Sequence, residues 1–321
     1  PAERQALINA RLRRLVEVAR QAPYYRERLR DLRVETTDDL AAVPILTRDD
    51  MENAIPPRSQ TLCTGPWTGG YVTRSGGSTG EPKFSIYDGR DWEAMVQNAA
   101  RLFRAMGLRP GDRLANCFLA GDLYGSFVSF DHINYRVGAT TFAFASDVKV
   151  DVFLDVWRKF SLNAVQGVPT VIVPLFRTVK KLEPSFTLEK VIYAGSPLSR
   201  TDYDWMKAEL KTRCIASIIG ANDGCQMAFQ CAAMQGTVHH AVDDYNYLEI
   251  VDDQGRRVPD GETGKILITS LLKYAFPLIR YEIGDQGRIL PGTCACGRTL
   301  RQLEYLGRSD NVIVLGLLNA G

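Results

Sequence analysis

The segment Arg74-Ser75-Gly76-Gly77-Ser78-Thr79-Gly80-Glu81-Pro82-Lys83 sets three glycines and three hydroxyl side chains in a row and ends on a lysine. Such a backbone can turn back on itself, expose several N–H groups and add side-chain donors, which are what polyphosphate oxygens require. It is not a Walker loop, because Glu81-Pro82 stand between the last glycine and Lys83. Pro82 also opposes a helix running straight out of the loop. Composition alone leaves a phosphate cradle and a flexible surface connection equally open.

The surrounding chain has the make-up of an ordinary globular protein: 321 residues, 45% hydrophobic and 24% charged. With 39 basic and 37 acidic residues, nothing in the balance points to a nucleic-acid or membrane surface. No apolar run is long enough for a spanning helix, and Pro1-Ala2-Glu3-Arg4-Gln5 is no signal peptide, so a cytoplasmic location is expected. Seven cysteines without framework spacing fit a reducing compartment.

From Ala2 to Leu32 the spacing of Leu7, Ile8, Leu12, Leu15, Val16 and Val18 predicts an amphipathic helix with a solvated arginine face. Thr47 is placed to cap a short helix. Asp91 to Met106 reads as a helix closed by Gly107. Beyond it, short apolar strands alternate with helices: Arg113-Leu119, Thr140-Phe144, Val150-Phe160, Ala164-Val168, Val171-Leu182, Lys190-Ala194, Thr201-Leu210 and Ile215-Ile219. This alternation predicts an α/β fold, a mostly parallel sheet covered by helices, with its ligand crevice beyond the strand carboxyl ends. Gly195-Ser196 and Asn222-Asp223 both fall there. From about Gly236, short strands between Gly/Asp turns predict a smaller antiparallel β lobe. The expected organisation is a helical region over 1–70, an α/β core over 71–235, the β lobe over 236–306, and a hinge over 307–321 that begins a further domain.

Cys231, His239-His240, Cys294 and Cys296 form a second constellation. Three thiolates and one imidazole make a closed tetrahedral set suited to structural zinc, against the alternative of reduced cysteines packed as small hydrophobes.

In order along the chain, Ser75 to Lys83, Ile219 to Asp223, Arg280-Tyr281 to Asp285, and Gly307-Arg308-Ser309-Asp310 resemble motifs of the adenylate-forming superfamily. That superfamily comprises the acyl- and aryl-CoA ligases, luciferases and peptide-synthetase adenylation domains. The wording "APYYRERL" and "PILTRDD" resembles the phenylacetate-CoA ligase branch in particular. The resemblance covers nearly the whole chain, about Ala22 to Asp310, and implies the large N-terminal domain of such an enzyme. It implies that Ser75, Gly76, Gly77, Ser78, Thr79, Gly80 and Lys83 hold the β/γ-phosphates of ATP. Asp223 would hold Mg²⁺, Asp285 would grip both ribose hydroxyls, Gly195, Ser196, Asn222 and Arg308 would complete the nucleotide site, and Arg308 lies in the hinge motif. Lys83 and Asp223 are the candidate catalytic residues. Two departures stand out: Ile219 replaces the family's adenine-stacking aromatic, and Asp223 is shorter than its glutamate.

By the same resemblance, Tyr124, Phe127 and His132, in a stretch with Leu123, Phe130 and Tyr135, line a pocket for a carboxylic acid, with Gly195 and Ser196 at its floor. The aromatic character suits an aryl or arylacetic acid; the alternative is that most of these side chains are core. Some phenylacetate-CoA ligase relatives carry a comparable cysteine/histidine site, and Tyr247-Leu248-Glu249-Ile250 resembles their Tyr-x-Glu-Ile stretch; counted back from it, the resemblance implies His240, not His239, as the zinc ligand. The implied activity is activation of the acid as acyl-AMP with release of pyrophosphate, followed by transfer to coenzyme A. A carrier-protein thiol or an amine as acceptor stays open, as does a homodimer. The rival readings are a non-catalytic nucleotide- or acyl-adenylate-binding module and a phosphotransferase. The lysine that the family carries after its hinge has no counterpart in the sequence, so the chain alone is expected to be a poor catalyst.

Overall fold

The computed structural model describes residues 1–74 and 83–308. Ser75, Gly76, Gly77, Ser78, Thr79 and Gly80, with Glu81 and Pro82, lie outside the described residues, as do Ser309, Asp310 and all that follow.

Ile8, Leu12, Leu15, Val16 and Ala19 recur at helical spacing and bury one face of helix α1, Ala2–Ala19. The helix expected to run on to Leu32 instead breaks at Gln21-Ala22, and Pro23 opens a second helix, α2, Pro23–Arg28. Proline suits that first position because its missing N–H has no intrahelical partner to lose. Tyr25, fully buried in α2, donates its hydroxyl proton to the Pro277 carbonyl at 3.2 Å and accepts from the Ile279 amide at 3.1 Å. Helix α3, Arg48–Ala54, is capped by Thr47, which accepts from the Asp50 amide, as its sequence predicts. Leu46 bridges Tyr281 in parallel, donating to Arg280 O at 3.1 Å and accepting from Glu282 N at 3.0 Å. The N-terminal helices are thereby fastened to the strand that follows Arg280, and α3 is set beside it.

Strands β1, Tyr71–Arg74, and β2, Phe84–Tyr87, form an antiparallel pair on either side of the glycine-rich segment. Helix α4, Gly89–Met106, starts on an Asp88 cap and stops at Gly107. The strands β3 (Arg113–Cys117), β4 (Thr140–Ala143), β5 (Ala164–Gly167), β6 (Lys190–Tyr193) and β7 (Cys214–Ala221) pair in parallel in the order β4-β3-β5-β6-β7. Their connections are the helices α5 (Gly125–Val137), α6 (Val150–Phe160), α7 (Pro169–Leu182) and α8 (Arg200–Glu209). Alternate residues sort to opposite faces. Leu114, Ala164, Ile192, Ala216 and Ile218 pack under α4 and α5, while Ala115, Val165, Val191 and Ile215 pack under α6, α7 and α8.

β7 turns directly into β8, Cys225–Phe229, and the sheet continues antiparallel through β9 (Val238–Ala241), β13 (Gln302–Arg308), β12 (Tyr281–Leu290), β11 (Gly264–Ser270) and β10 (Asn246–Val251). The antiparallel strands therefore extend the parallel sheet into one of eleven strands, and their pairing begins at β8, ahead of Gly236. The α/β class with helices over parallel strands stands as the sequence reads it. Among the described residues, no helix is long and apolar enough to cross a membrane.

Candidate functional site

Three segments far apart in sequence meet at one place. β2 carries Ser85, the β7–β8 hairpin carries Asn222 and Asp223, and β12 carries Tyr281. Asp223 Oδ2 accepts from the Tyr281 hydroxyl at 2.8 Å and Oδ1 from the Ser85 hydroxyl. Asn222 accepts from Thr73 Oγ1 at 3.0 Å and donates Nδ2–H to Ser85 Oγ at 2.9 Å. Ser85 and Tyr281 have no place among the sequence-derived site residues. The signal for Ser85 is a lone hydroxyl inside an apolar strand just after the loop. The Asn222-Asp223 stretch is a hairpin turn, so Asp223 caps no helix. Ile219, at the position of the family's stacking aromatic, is half-buried against the core that the N-terminal helices build.

Beneath the turn, the Tyr87 hydroxyl lies 2.6 Å from Asn222 O and 2.8 Å from Asp223 O. Lys273 Nζ donates to Asp223 O at 2.7 Å and sits 3.9 Å from the centre of the Tyr87 ring. Burial pushes the Lys273 ammonium down, against the opposing pull of Cys225, Asp223 and Asp91.

Lys83, at the far end of the glycine-rich segment, places Nζ 3.0 Å from Glu52 Oε1 on α3. Asp285 shares the buried face of β12 with Tyr281. Its carboxyl is pushed up by burial, against the Arg308 guanidinium, the Tyr305 hydroxyl and Arg48. Arg308 pairs with Asp285 across β12 and β13 and brings Nε to 3.3 Å from Oδ1, an oxygen with no hydrogen-bond donor among the described residues. Gly284 beside it sits at φ 83°, and a Cβ there would meet Arg48 Nη1 at 3.2 Å and Arg308 Nη1 at 3.3 Å. The left-handed backbone disfavours a side chain there, and a Cβ would also push the two guanidinium tips back by a few tenths of an ångström. Arg280, by contrast, turns away from the site to Glu249 Oε2 at 3.3 Å, Val43 O at 3.0 Å and Gly255 O at 2.6 Å.

The stretch with Tyr124, Phe127 and His132 is mostly helix α5, a run of aromatics whose helical period the sequence reading passes over. Phe130 belongs to the core, 4.2 Å from Phe118 between ring centres, and Tyr135 is 85% exposed. Phe127 packs half-buried against the same core. Tyr124 precedes the first turn of α5 and is half-buried. The adjoining Leu123 accepts from the Arg74 amide at 2.9 Å, so β1 runs from the start of α5 to Asn222. His132 Nδ1 accepts from Trp92 Nε1–H at 3.0 Å, which puts the imidazole proton on Nε2, 3.4 Å from the Tyr71 hydroxyl. Gly195, at φ 83°, lies two residues past the end of β6, and the neighbouring Ser196 Oγ is buried with no hydrogen-bond partner among the described residues.

The late cysteines converge as well. One ligand atom from each of Cys231, His240, Cys294 and Cys296 lies within 4.8 Å of all the others. Cys231 Sγ and Cys294 Sγ are 3.7 Å apart, close to the edge of about 3.8 Å that a tetrahedron with ~2.3 Å Zn–S bonds has. Cys296 Sγ lies 3.3 Å from His240 Nε2. Strand alternation in β9 separates the two histidines, and His239 Nδ1 lies instead 2.9 Å from the Thr237 carbonyl.

The family model described as AMP-binding enzyme matches residues 14–271. The phenylacetate-coenzyme A ligase of Thermus thermophilus is 26% identical over 98% of this chain and 72% of its own length. The phenylacetate-coenzyme A ligase of Escherichia coli is 26% identical over 99% of this chain and 74% of its own length. In fold, the chain superposes on a crystal structure of 2-hydroxyisobutyryl-CoA ligase in complex with 2-HIB-AMP and CoA. The TM-score is 0.83 at 23% identity, covering 97% of this chain and 76% of that one. The chain belongs to the AMP-binding enzyme family.

Proposed function

We propose that this protein is an acid-thiol ligase that uses ATP to activate a carboxylic acid as acyl-AMP, releasing pyrophosphate, and then passes the acyl group to coenzyme A. The observation that carries the reading is the meeting of Ser85, Asp223 and Tyr281, with Asp285 further along the same strand, next to the segment bounded by Arg74 and Lys83. The relatives' names and the acyl-adenylate and CoA complexes of 2-hydroxyisobutyryl-CoA ligase support the same chemistry.

In this reading, one acid carboxylate oxygen attacks the α-phosphorus and the bond to the β-phosphate oxygen breaks. A thiol then attacks the acyl carbon and AMP leaves. The protein's contribution is position and charge. Asp285 accepts from the ribose hydroxyls, for which its undonated Oδ1 is suited. Ser75 to Lys83 hold the β/γ-phosphates. Asp223 meets Mg²⁺: each carboxylate oxygen accepts one hydroxyl proton and keeps a lone pair for a hard cation. Bound there, Mg²⁺ neutralises phosphate charge. The acid enters between Tyr124 and Gly195, with Phe127 and His132 on the aromatic side and the unpartnered Ser196 Oγ at the floor. An aryl or arylacetic acid suits those walls. Cys231, His240, Cys294 and Cys296 hold a structural zinc ion that ties the β8 end to the loop before β13, away from the reaction. Reduced thiols and ATP chemistry suit a cytoplasmic setting.

The test is incubation with ATP, MgCl₂ and a panel of benzoic, arylacetic and short aliphatic acids, with products read by mass spectrometry. Acid-dependent acyl-AMP and pyrophosphate are expected, at least in single-turnover amount. ADP as the acid-dependent product would contradict the reading.

A further inference from the structure

A lysine buried without an ion pair is a feature that the proposed chemistry leaves unused. Lys273 follows β11, is 3% exposed, and has no carboxylate within ion-pair distance among the described residues. Its ammonium meets the Asp223 carbonyl at 2.7 Å and the face of Tyr87. Burying a cation in this way is costly, and an apolar side chain of similar length would fill the same space without that cost.

The carbonyls of the turn have few donors. The Tyr87 hydroxyl, with a single proton, lies within reach of both Asn222 O and Asp223 O, and Asn246 Nδ2 serves Gly224 O at 2.5 Å and Gln226 O at 2.8 Å. Lys273 adds the one charged donor to an array of neutral ones. Its own backbone is fixed from the other side, because the Asp91 carboxylate accepts the amides of Tyr274 at 2.8 Å and Ala275 at 2.9 Å. Asp91 lies in the first turn of α4, so the ammonium is held between a helix start and the hairpin turn.

We propose that Lys273 is a positioning residue for the divalent cation of MgATP: from beneath the β7–β8 turn its hydrogen bond holds the Asp223 backbone and so sets the Asp223 carboxylate in place for the cation. The inference rests on the reading of Asp223 as the residue that meets Mg²⁺. It assigns Lys273 no contact with ATP or with the acid. The action passes through one peptide carbonyl, and a charge-assisted hydrogen bond in a water-poor setting is strong enough to fix a three-residue turn.

The experiment measures ATP binding to the whole chain by calorimetry across a series of MgCl₂ concentrations. Binding of a phenylacetyl- or benzoyl-sulfamoyl-adenosine, which has no polyphosphate, is the reference. In Lys273→Met, the Mg²⁺ midpoint for ATP binding is expected to rise about tenfold, with the sulfamoyl-adenosine affinity within about twofold of wild type. Lys273→Gln, a neutral donor, is expected to fall between. A merely structural role would lower both affinities together and leave the Mg²⁺ midpoint unmoved, and that result overturns the proposal. Where Lys273→Met does not fold, Lys273→Gln carries the test in its place, and an Mg²⁺ midpoint equal to that of wild type there overturns the proposal equally. Wild type binding neither ligand removes the functional reading and this inference with it, whereas an unmoved midpoint in a chain that binds both removes the inference alone.

Discussion

At the scale of single residues, the site is defined by which carboxylates are held and which are left open. Asp223 is enclosed by hydroxyls, whereas Asp285 Oδ1, beside the Arg308 guanidinium, has no hydrogen-bond donor among the described residues. Because burial disfavours ionised Asp285, its removal costs the free protein little and the nucleotide complex much. Asp285→Ala is expected to weaken acyl-sulfamoyl-adenosine binding by roughly 3 kcal/mol, about a hundredfold, with the ligand-free melting temperature little changed. Unaltered affinity by calorimetry would remove the ribose role. Asp91 supplies a pH signature. Burial raises its carboxyl to about 6 from 3.8, against the amides of Tyr274 and Ala275. A folded-state value above the unfolded one contributes stability that is complete below pH 3.8 and is lost as pH rises through about 6. The stability of wild type relative to Asp91→Asn should therefore fall by on the order of 3 kcal/mol between pH 4 and pH 7, read from denaturant midpoints. A difference that does not vary with pH would contradict this. Asp223, Asp285 and the cysteines are visible in the sequence because their motifs are local. Ser85, Tyr87 and Lys273 are not, since the turn they serve is distant from each of them in the chain, and only the fold closes those distances.

At the scale of elements, periodicity alone places most helices and parallel strands within a residue or two. Where it fails, one residue type decides. Pro23 splits the N-terminal helix because it can begin a helix but not continue one. Gly125 and the aromatics of α5 hide a helix whose inward positions, Phe130, Ile133 and Val137, serve the core, so part of the expected pocket wall is packing. The cysteine and histidine ligands lie after β8, on β9 and in the loop before β13, and these three strands are neighbours within the sheet. A metal there would link them as a loop-closing staple. Chelation with 1,10-phenanthroline is expected to lower the melting temperature by several degrees. Cys294→Ser should lower it comparably and abolish the chelator's effect, because both remove the same tie. Additive losses, or a metal-free protein by elemental analysis, would contradict the zinc assignment.

At the scale of the whole molecule, the fold works by running two sheet types into one. Parallel strands under α4 to α8 give way at β7, and the first antiparallel turn, at Asn222-Asp223, falls where the two halves join. The sequence shows both textures but not their continuity, because the switch costs only a change of partner halfway along β7. The N-terminal helices, clamped to the antiparallel half through Tyr25 and Leu46, bring Glu52 to Lys83 and Arg48 to Gly284, and so complete the rim of the site from the far end of the chain. The measurement that tests this account most directly is a thermal-shift titration of the chain. Its ligands are sulfamoyl-adenosines carrying benzoyl, arylacetyl and short aliphatic groups, with ATP as the control. A ligand that binds only the folded state raises the midpoint with its affinity, independently of turnover. The account predicts a rise with aromatic acyl-sulfamoyl-adenosines that exceeds the rise with ATP and with the aliphatic analogues. No rise with any acyl-sulfamoyl-adenosine, while ATP still stabilises the protein, would contradict it and leave a nucleotide-binding module in its place.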